Sequence, residues 1–112
     1  MVDRSVVIHM IEEFIQELIQ AGYSPKDVYL FGSYAHGEPH DFSDIDVAVW
    51  DSNFSGCLAQ DVEQVKSLLA RYSPIELHPF HPDDSDDPRS LDIRSQGLKI
   101  FPRHHDVSPQ NE

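Results

Sequence analysis

The residues best suited to chemistry in this chain are two aspartates on alternate positions, Asp44 and Asp46, and a turn-forming pair, Gly32-Ser33, separated from them by residues 34–43. In a strand the side-chain period is two, so Asp44 and Asp46 share one face while Ile45, Val47 and Val49 share the other. Two like charges that close on an apolar strand force one to protonate; a hard divalent ion held by both removes the repulsion. Gly32 permits a tight turn and close approach of another group to the backbone. Ser33 is placed to open a short helix through about His36, stopped at Gly37, and amides at such a turn aim at an anion with help from the helix dipole. A cation site and a phosphate cradle side by side suit a nucleoside triphosphate with its magnesium. An isolated Asp-x-Asp is better read as a merely wet strand face; the Gly-Ser pair at this spacing tips the balance towards chemistry.

The elements that must position these groups are legible from periodicity. Apolar side chains at Val7, Met10, Ile11, Phe14 and Leu18, widened by Ile15 and Ile19, predict an amphipathic helix over about Ser5 to Ala21, ending at Gly22. Ser24, Pro25 and Lys26 read as a turn before a short buried strand, Val28 to Phe31, that runs into Gly32. The loop Glu38 to Ser43 leads to a strand Asp44 to Trp50, and Asp51 to Gly56 is polar and turn-like. A second helix is expected over about Leu58 to Tyr72, then a strand Ile75 to Phe80 with Glu76 and His78 on one face. Asp87 as cap, Pro88 at the first helical position and Gly97 as stop define a last helix, followed by a strand Leu98 to Phe101. The tail from Pro102 to Glu112 has no apolar period and is expected to be disordered, which leaves 1–101 as one domain. The architecture expected is an α/β (α+β) fold, a small mixed β-sheet with helices packed on one face and the acidic face open to ligand.

Composition narrows the function. A chain of 112 residues fits one domain with one modest core. The formal net charge of -12 repels phosphate backbones, so direct nucleic-acid binding is not expected, and the nucleotide must be held by metal and backbone amides. No apolar run has the length of a membrane span and MVDRSVVIHM lacks a signal-peptide pattern, so a cytoplasmic protein with no membrane partner is expected. The single Cys57 excludes an internal disulfide framework. The acidic run HPDDSDD, His81 to Asp87, reads as a solvated loop. Zinc at His78 and His81 with Asp83 or Asp84 is disfavoured, because a three-residue spacing across a strand end does not aim both rings at one point. Trp50 is expected in core or rim packing, with a part in base stacking left open by its shared parity with the aspartates.

Taken together, Gly32, Ser33, Asp44 and Asp46, with a further carboxylate on a later strand, Glu76, resemble the pattern of the DNA polymerase β-type nucleotidyltransferase superfamily, and of its minimal nucleotidyltransferase members in particular. The resemblance extends from the first amphipathic helix to the helix-glycine-strand ending DIRSQGLKIF. It implies a polymerase β-like fold, Asp44, Asp46 and Glu76 as catalytic ligands of two Mg2+ ions, and Gly32 and Ser33 on the β and γ phosphates of ATP or another nucleoside triphosphate. Glu76 is then metal ligand, general base or both. The chain departs from the pattern in carrying glutamate at 76, where aspartate is more usual, and His36 and His40 in a loop where relatives carry lysine or arginine. A protonated His36 would replace that charge in part, while His40 reads as a solvent-facing loop residue.

The activity implied is transfer of a nucleoside monophosphate, AMP from ATP, to an acceptor hydroxyl with release of pyrophosphate. Larger relatives resemble this core plus an acceptor-binding domain; here the acceptor is expected on a partner protein, such as the HEPN-like helical toxin of a toxin–antitoxin pair. The alternative is a catalytically weak or inactive nucleotide-binding antitoxin module that acts by complex formation. Homo-oligomerisation is left open.

Overall fold

The computed structural model describes residues 4–32 and 45–102. Four helices and four strands follow in the order α1 (Arg4–Gln20), β1 (Pro25–Phe31), β2 (Ile45–Asp51), α2 (Leu58–Gln64), α3 (Lys66–Ala70), β3 (Ile75–Phe80), α4 (Pro88–Gln96) and β4 (Leu98–Phe101), with a 3-10 helix, Pro82–Asp86, before α4. The strands form one mixed sheet in the order β3-β2-β1-β4. β1 runs antiparallel to β2 and β4, whereas β2 and β3 are parallel.

Helix α1 forms because its apolar residues recur at helical spacing, and Val7, Ile11, Phe14, Ile15 and Leu18 are all buried. Ile19, expected in that stripe, is exposed. The helix stops where Gly22 takes φ 101° and the amides of Gly22 and Tyr23 fold back onto the carbonyls of Ile19 and Leu18, a paired closure that glycine's freedom at positive φ allows. The stripe packs on Val28, Leu30, Ile45, Val47, Val49, Ile75 and Leu77 from one face of the sheet, together with Val65 and Leu68. Helices α1, α2 and α3 thus cover the apolar face, as the sequence pattern requires.

Local departures from the expected elements have physical causes. β1 begins at Pro25, not Val28, because Pro25 already pairs with Asp51 on β2. The expected single helix over 58–72 breaks at Val65, whose φ of -113° is not helical; the side chain turns into the core there. The segment 51–56 is more than a polar turn. Asp51 is fully buried and accepts hydrogen bonds from the Ser24 amide (2.7 Å) and the Asn53 amide (2.8 Å), and Phe54 is buried against Tyr23. Asp61, also fully buried, accepts from the Ser55 amide and hydroxyl and from the Gly56 amide, which joins the turn to the first turn of α2.

The other sheet face is built in rows. Phe31, Asp46 and Glu76 are register partners across β1, β2 and β3; Tyr29, Ala48 and His78 form the next row, and Asp27, Trp50 and Phe80 the third. Helix α4 closes the far end of this face, with Ile93 packed on Ala48, Trp50 and Phe80. Asp87 caps it by accepting from the Arg89 amide at 2.8 Å, with Pro88 following and Gly97 at its end, as read from the sequence. Trp50 is completely buried here: its indole N–H donates to Ser90 (3.0 Å), its ring stacks on Phe80, and the Arg94 guanidinium lies 4.1 Å above it. Arg94 is held in turn by Asp27 at 3.1 Å. Base stacking on Trp50, left open by its parity, is therefore ruled out by burial. Among the described residues, no helix is long and apolar enough to cross a membrane.

Candidate functional site

The near end of that same face stays open, and there the sheet register assembles a compact set of ligand atoms. Asp46 near the start of β2 and Glu76 near the start of β3 are direct register partners. His78 lies one pleat further along β3. One ligand atom from each of Asp46, Glu76 and His78 lies within 4.8 Å of the others. The His78 Nε2 atom is 3.3 Å from Asp46 Oδ1 and 3.9 Å from Glu76 Oε1. Asp46 and His78 are each 27% exposed and Glu76 is 56% exposed, so the set is reachable from solvent yet backed by protein.

Two neighbours fix its shape. The Phe31 and His78 rings meet in a T-shaped arrangement at 4.8 Å between centroids, which limits how the imidazole can rotate. Gly32 follows Phe31 directly and takes φ 81°; a Cβ placed there would stand 2.5 Å from Asp46 Oδ2. The glycine is needed for two independent reasons, its backbone angle and the carboxylate packed against it. It also brings a bare peptide up to the carboxylate, the close approach its position in the sequence suggested.

Of the residues read from the sequence, the structure brings together Gly32, Asp46 and Glu76. Ser33 and Asp44, together with His36 and His40, the short helix and the 38–43 loop, lie outside the described residues, as does the tail beyond Pro102. His81 is turned away and occupied in a cap, where its Nδ1 accepts from the Asp83 amide at 3.0 Å and Asp84 in return accepts from the His81 amide at 3.0 Å. This reciprocal cap makes the acidic run 82–86 a 3-10 helix where a loop was expected, while Asp83 and Asp86 remain exposed to solvent as expected, and it separates His81 from His78. Sequence reasoning placed His78 on the face of Glu76 but gave it no role at the aspartates. The signal was its parity, which became meaningful only once β3 was known to pair beside β2.

Beside the triad, two adjoining cavities of about 240 and 220 Å3 run between the sheet and α4. Phe31, Asp92 and Ile93 line both; His78, Phe80 and Arg89 complete the first, and Gly32 and Gln96 the second. The wall is apolar at its base and carries a cation, Arg89, whose guanidinium lies 5.1 Å from the Phe80 ring centre. On this side the site is an open cleft with carboxylates at one end.

The donor set fits a divalent cation. Two ligands about 2.1 Å from one ion stand about 3.0 Å apart when adjacent and about 4.2 Å apart when opposite. The two separations from His78, 3.3 and 3.9 Å, fall inside that interval, and the three donor atoms together lie within 4.8 Å of one another.

Comparison with known proteins bears on the fold that carries this site. The family model described as "Polymerase beta, Nucleotidyltransferase" matches residues 13–101. No curated protein sequence matches the chain significantly. Among solved structures, a protein assigned as a nucleotidyltransferase from Sulfolobus solfataricus is similar over 74% of this chain and 74% of its own, at 20% identity and a TM-score of 0.54. A chain of a toxin–antitoxin crystallised with AMP-PNP is similar over 85% of this chain and 76% of its own, at 25% identity and a TM-score of 0.53.

Proposed function

We propose that this chain, which belongs to the polymerase β nucleotidyltransferase family, transfers a nucleoside monophosphate, AMP from ATP, to a hydroxyl on a partner protein. The observation that supports this most is the pairing of Asp46 with Glu76 across the parallel strands, with Gly32 packed against the Asp46 carboxylate. Asp46 and Glu76, together with Asp44, would hold the divalent cation. When bound, the cation neutralises triphosphate charge and polarises the α-phosphate for attack.

The chain's own groups do the rest. The bare backbone at Gly32 lets phosphate oxygens approach the turn without meeting a side chain. The apolar ring of Phe31, backed by the buried Phe80, gives the nucleotide a surface away from water, and Arg89 on its rim supplies positive charge to an otherwise acidic protein. Glu76, more exposed than Asp46, takes the proton of the acceptor hydroxyl as its oxygen bonds to the α-phosphorus. The bond to pyrophosphate breaks in the same displacement. The likeness to a toxin–antitoxin chain crystallised with AMP-PNP supports a partner protein as acceptor, and we take that partner to be a helical, HEPN-like protein of the cytoplasm.

The test is incubation with α-labelled ATP, a divalent cation and the candidate partner. Label should pass to the partner and be lost with Asp46→Asn. Nucleotide binding with no transfer to any partner would overturn the enzymatic reading and leave a module that acts by complex formation.

A further inference from the structure

We propose that His78 is a metal ligand, and that the site therefore selects a first-row transition ion such as manganese over magnesium. The inference rests on the reading of Asp46 and Glu76 as cation ligands and adds to it a nitrogen donor. Three features of the structure carry it. His78 Nε2 lies 3.3 Å from Asp46 Oδ1 and 3.9 Å from Glu76 Oε1, the spacing of atoms that share one ion. The ring is held in that direction by its T-shaped contact with Phe31, 4.8 Å between centroids. Ala48, its register partner on β2, has the smallest side chain in that row and leaves the imidazole free to lean towards Asp46.

The chemistry follows from ligand type. Magnesium binds oxygen almost exclusively and gives up its water reluctantly. Imidazole suits zinc, copper, iron and nickel, and among divalent first-row ions affinity for a nitrogen-bearing site rises from manganese onward. Manganese keeps magnesium's preference for carboxylate and phosphate oxygen while accepting a nitrogen. A site of two carboxylates and one imidazole thus gains more from manganese than from magnesium, and the discrimination resides in His78.

The experiment uses the full chain without nucleotide and Mn2+ as the probe. Electron spin echo spectroscopy of bound Mn2+ should show nitrogen modulation in the wild-type protein that disappears in His78→Ala. Titration should show Mn2+ affinity falling about 10-fold or more in His78→Ala, with Mg2+ affinity changing by less than about twofold. Bound Mn2+ without nitrogen modulation overturns the proposal. So does a His78→Ala protein that binds Mn2+ as tightly as wild type, or more tightly, which is the outcome if His78 merely competes for Asp46 as an ion-pair partner. The spectroscopic arm needs no variant, so a folding defect cannot obscure it. If the wild-type chain binds no Mn2+, or if Asp46→Asn leaves binding intact, the underlying carboxylate site fails as well; loss with Asp46→Asn but not with His78→Ala removes only the nitrogen ligand.

Discussion

Replacing Gly32 by alanine separates the two demands placed on that residue. At φ 81° an alanine sits in the left-handed region, which costs roughly 1–2 kcal/mol. A loss of that size lowers the melting temperature by about 4–8 °C per kcal/mol in a domain of this scale. The added Cβ also stands 2.5 Å from Asp46 Oδ2, whereas ordinary contact begins at 3.4 Å. The carboxylate must therefore retreat by about 0.9 Å, beyond the roughly 0.5 Å within which a catalytic constellation stays productive. A displacement of that order reduces turnover by about 100-fold. Gly22→Ala is the control, since Gly22 has φ 101° and no atom within 4 Å of an added Cβ. It should carry a similar backbone cost and leave the site alone. Stability is read from urea unfolding followed by the fluorescence of Trp50, the single tryptophan, and function from cation titration and label transfer. Wild-type cation affinity and transfer in Gly32→Ala, or equal functional loss in both variants, would refute the argument that glycine is there to admit Asp46.

Two further outcomes concern stability. Ser90→Ala removes the only described acceptor of the Trp50 indole N–H, at 3.0 Å in a fully buried pair, and should destabilise the fold by about 1–3 kcal/mol; an unchanged urea midpoint would show that α4 is held by packing alone. Burial raises the Tyr72 phenol above its usual 10.0, helped by its hydrogen bond to Glu17, and burial followed by the charges of Asp51 and Asp61 raises Tyr23. The folded state therefore keeps protons that the unfolded chain gives up above pH 10.0, so this contribution is whole below that pH and is lost as pH climbs through the raised folded values. Urea midpoints should fall on the alkaline side of pH 10.0, less steeply in a Tyr23→Phe, Tyr72→Phe double variant, and equal slopes would contradict the assignment.

What could be read from the sequence was what local chemistry decides. Asp87, Pro88 and Gly97 mark α4 because caps and stops act within one turn, and the alternation over Ile75 to Phe80 marks β3 because both its faces meet distinct surroundings. What escaped notice depends on partners that no single-element pattern contains, some distant in the chain and some in the neighbouring turn. The break at Val65 answers to the core beneath it, and the burial of Asp61 answers to amides at Ser55 and Gly56 that a helical pattern does not reveal. Trp50 and Asp46 share a face, yet one is sealed beneath α4 and the other open, a contrast that arises from where a helix lies and not from parity. His78 entered the site for the same reason: only the parallel pairing of β3 with β2 brings it to Asp46.

That pairing also sets how finely the site can be adjusted. Same-face positions on β3 recur every second residue, a step of about 6.6 Å. A group can be offered to Asp46 from position 76 or from 78, but Leu77 between them is committed to the core. Sliding the strand by one residue would bury Glu76 and expose Leu77. The distance between the acids is thus indexed in whole pleats, and any correction smaller than a pleat falls to the length of a side chain. The extra methylene of glutamate over aspartate is one such correction, a fine setting on a ruler whose coarse marks the sheet has already engraved.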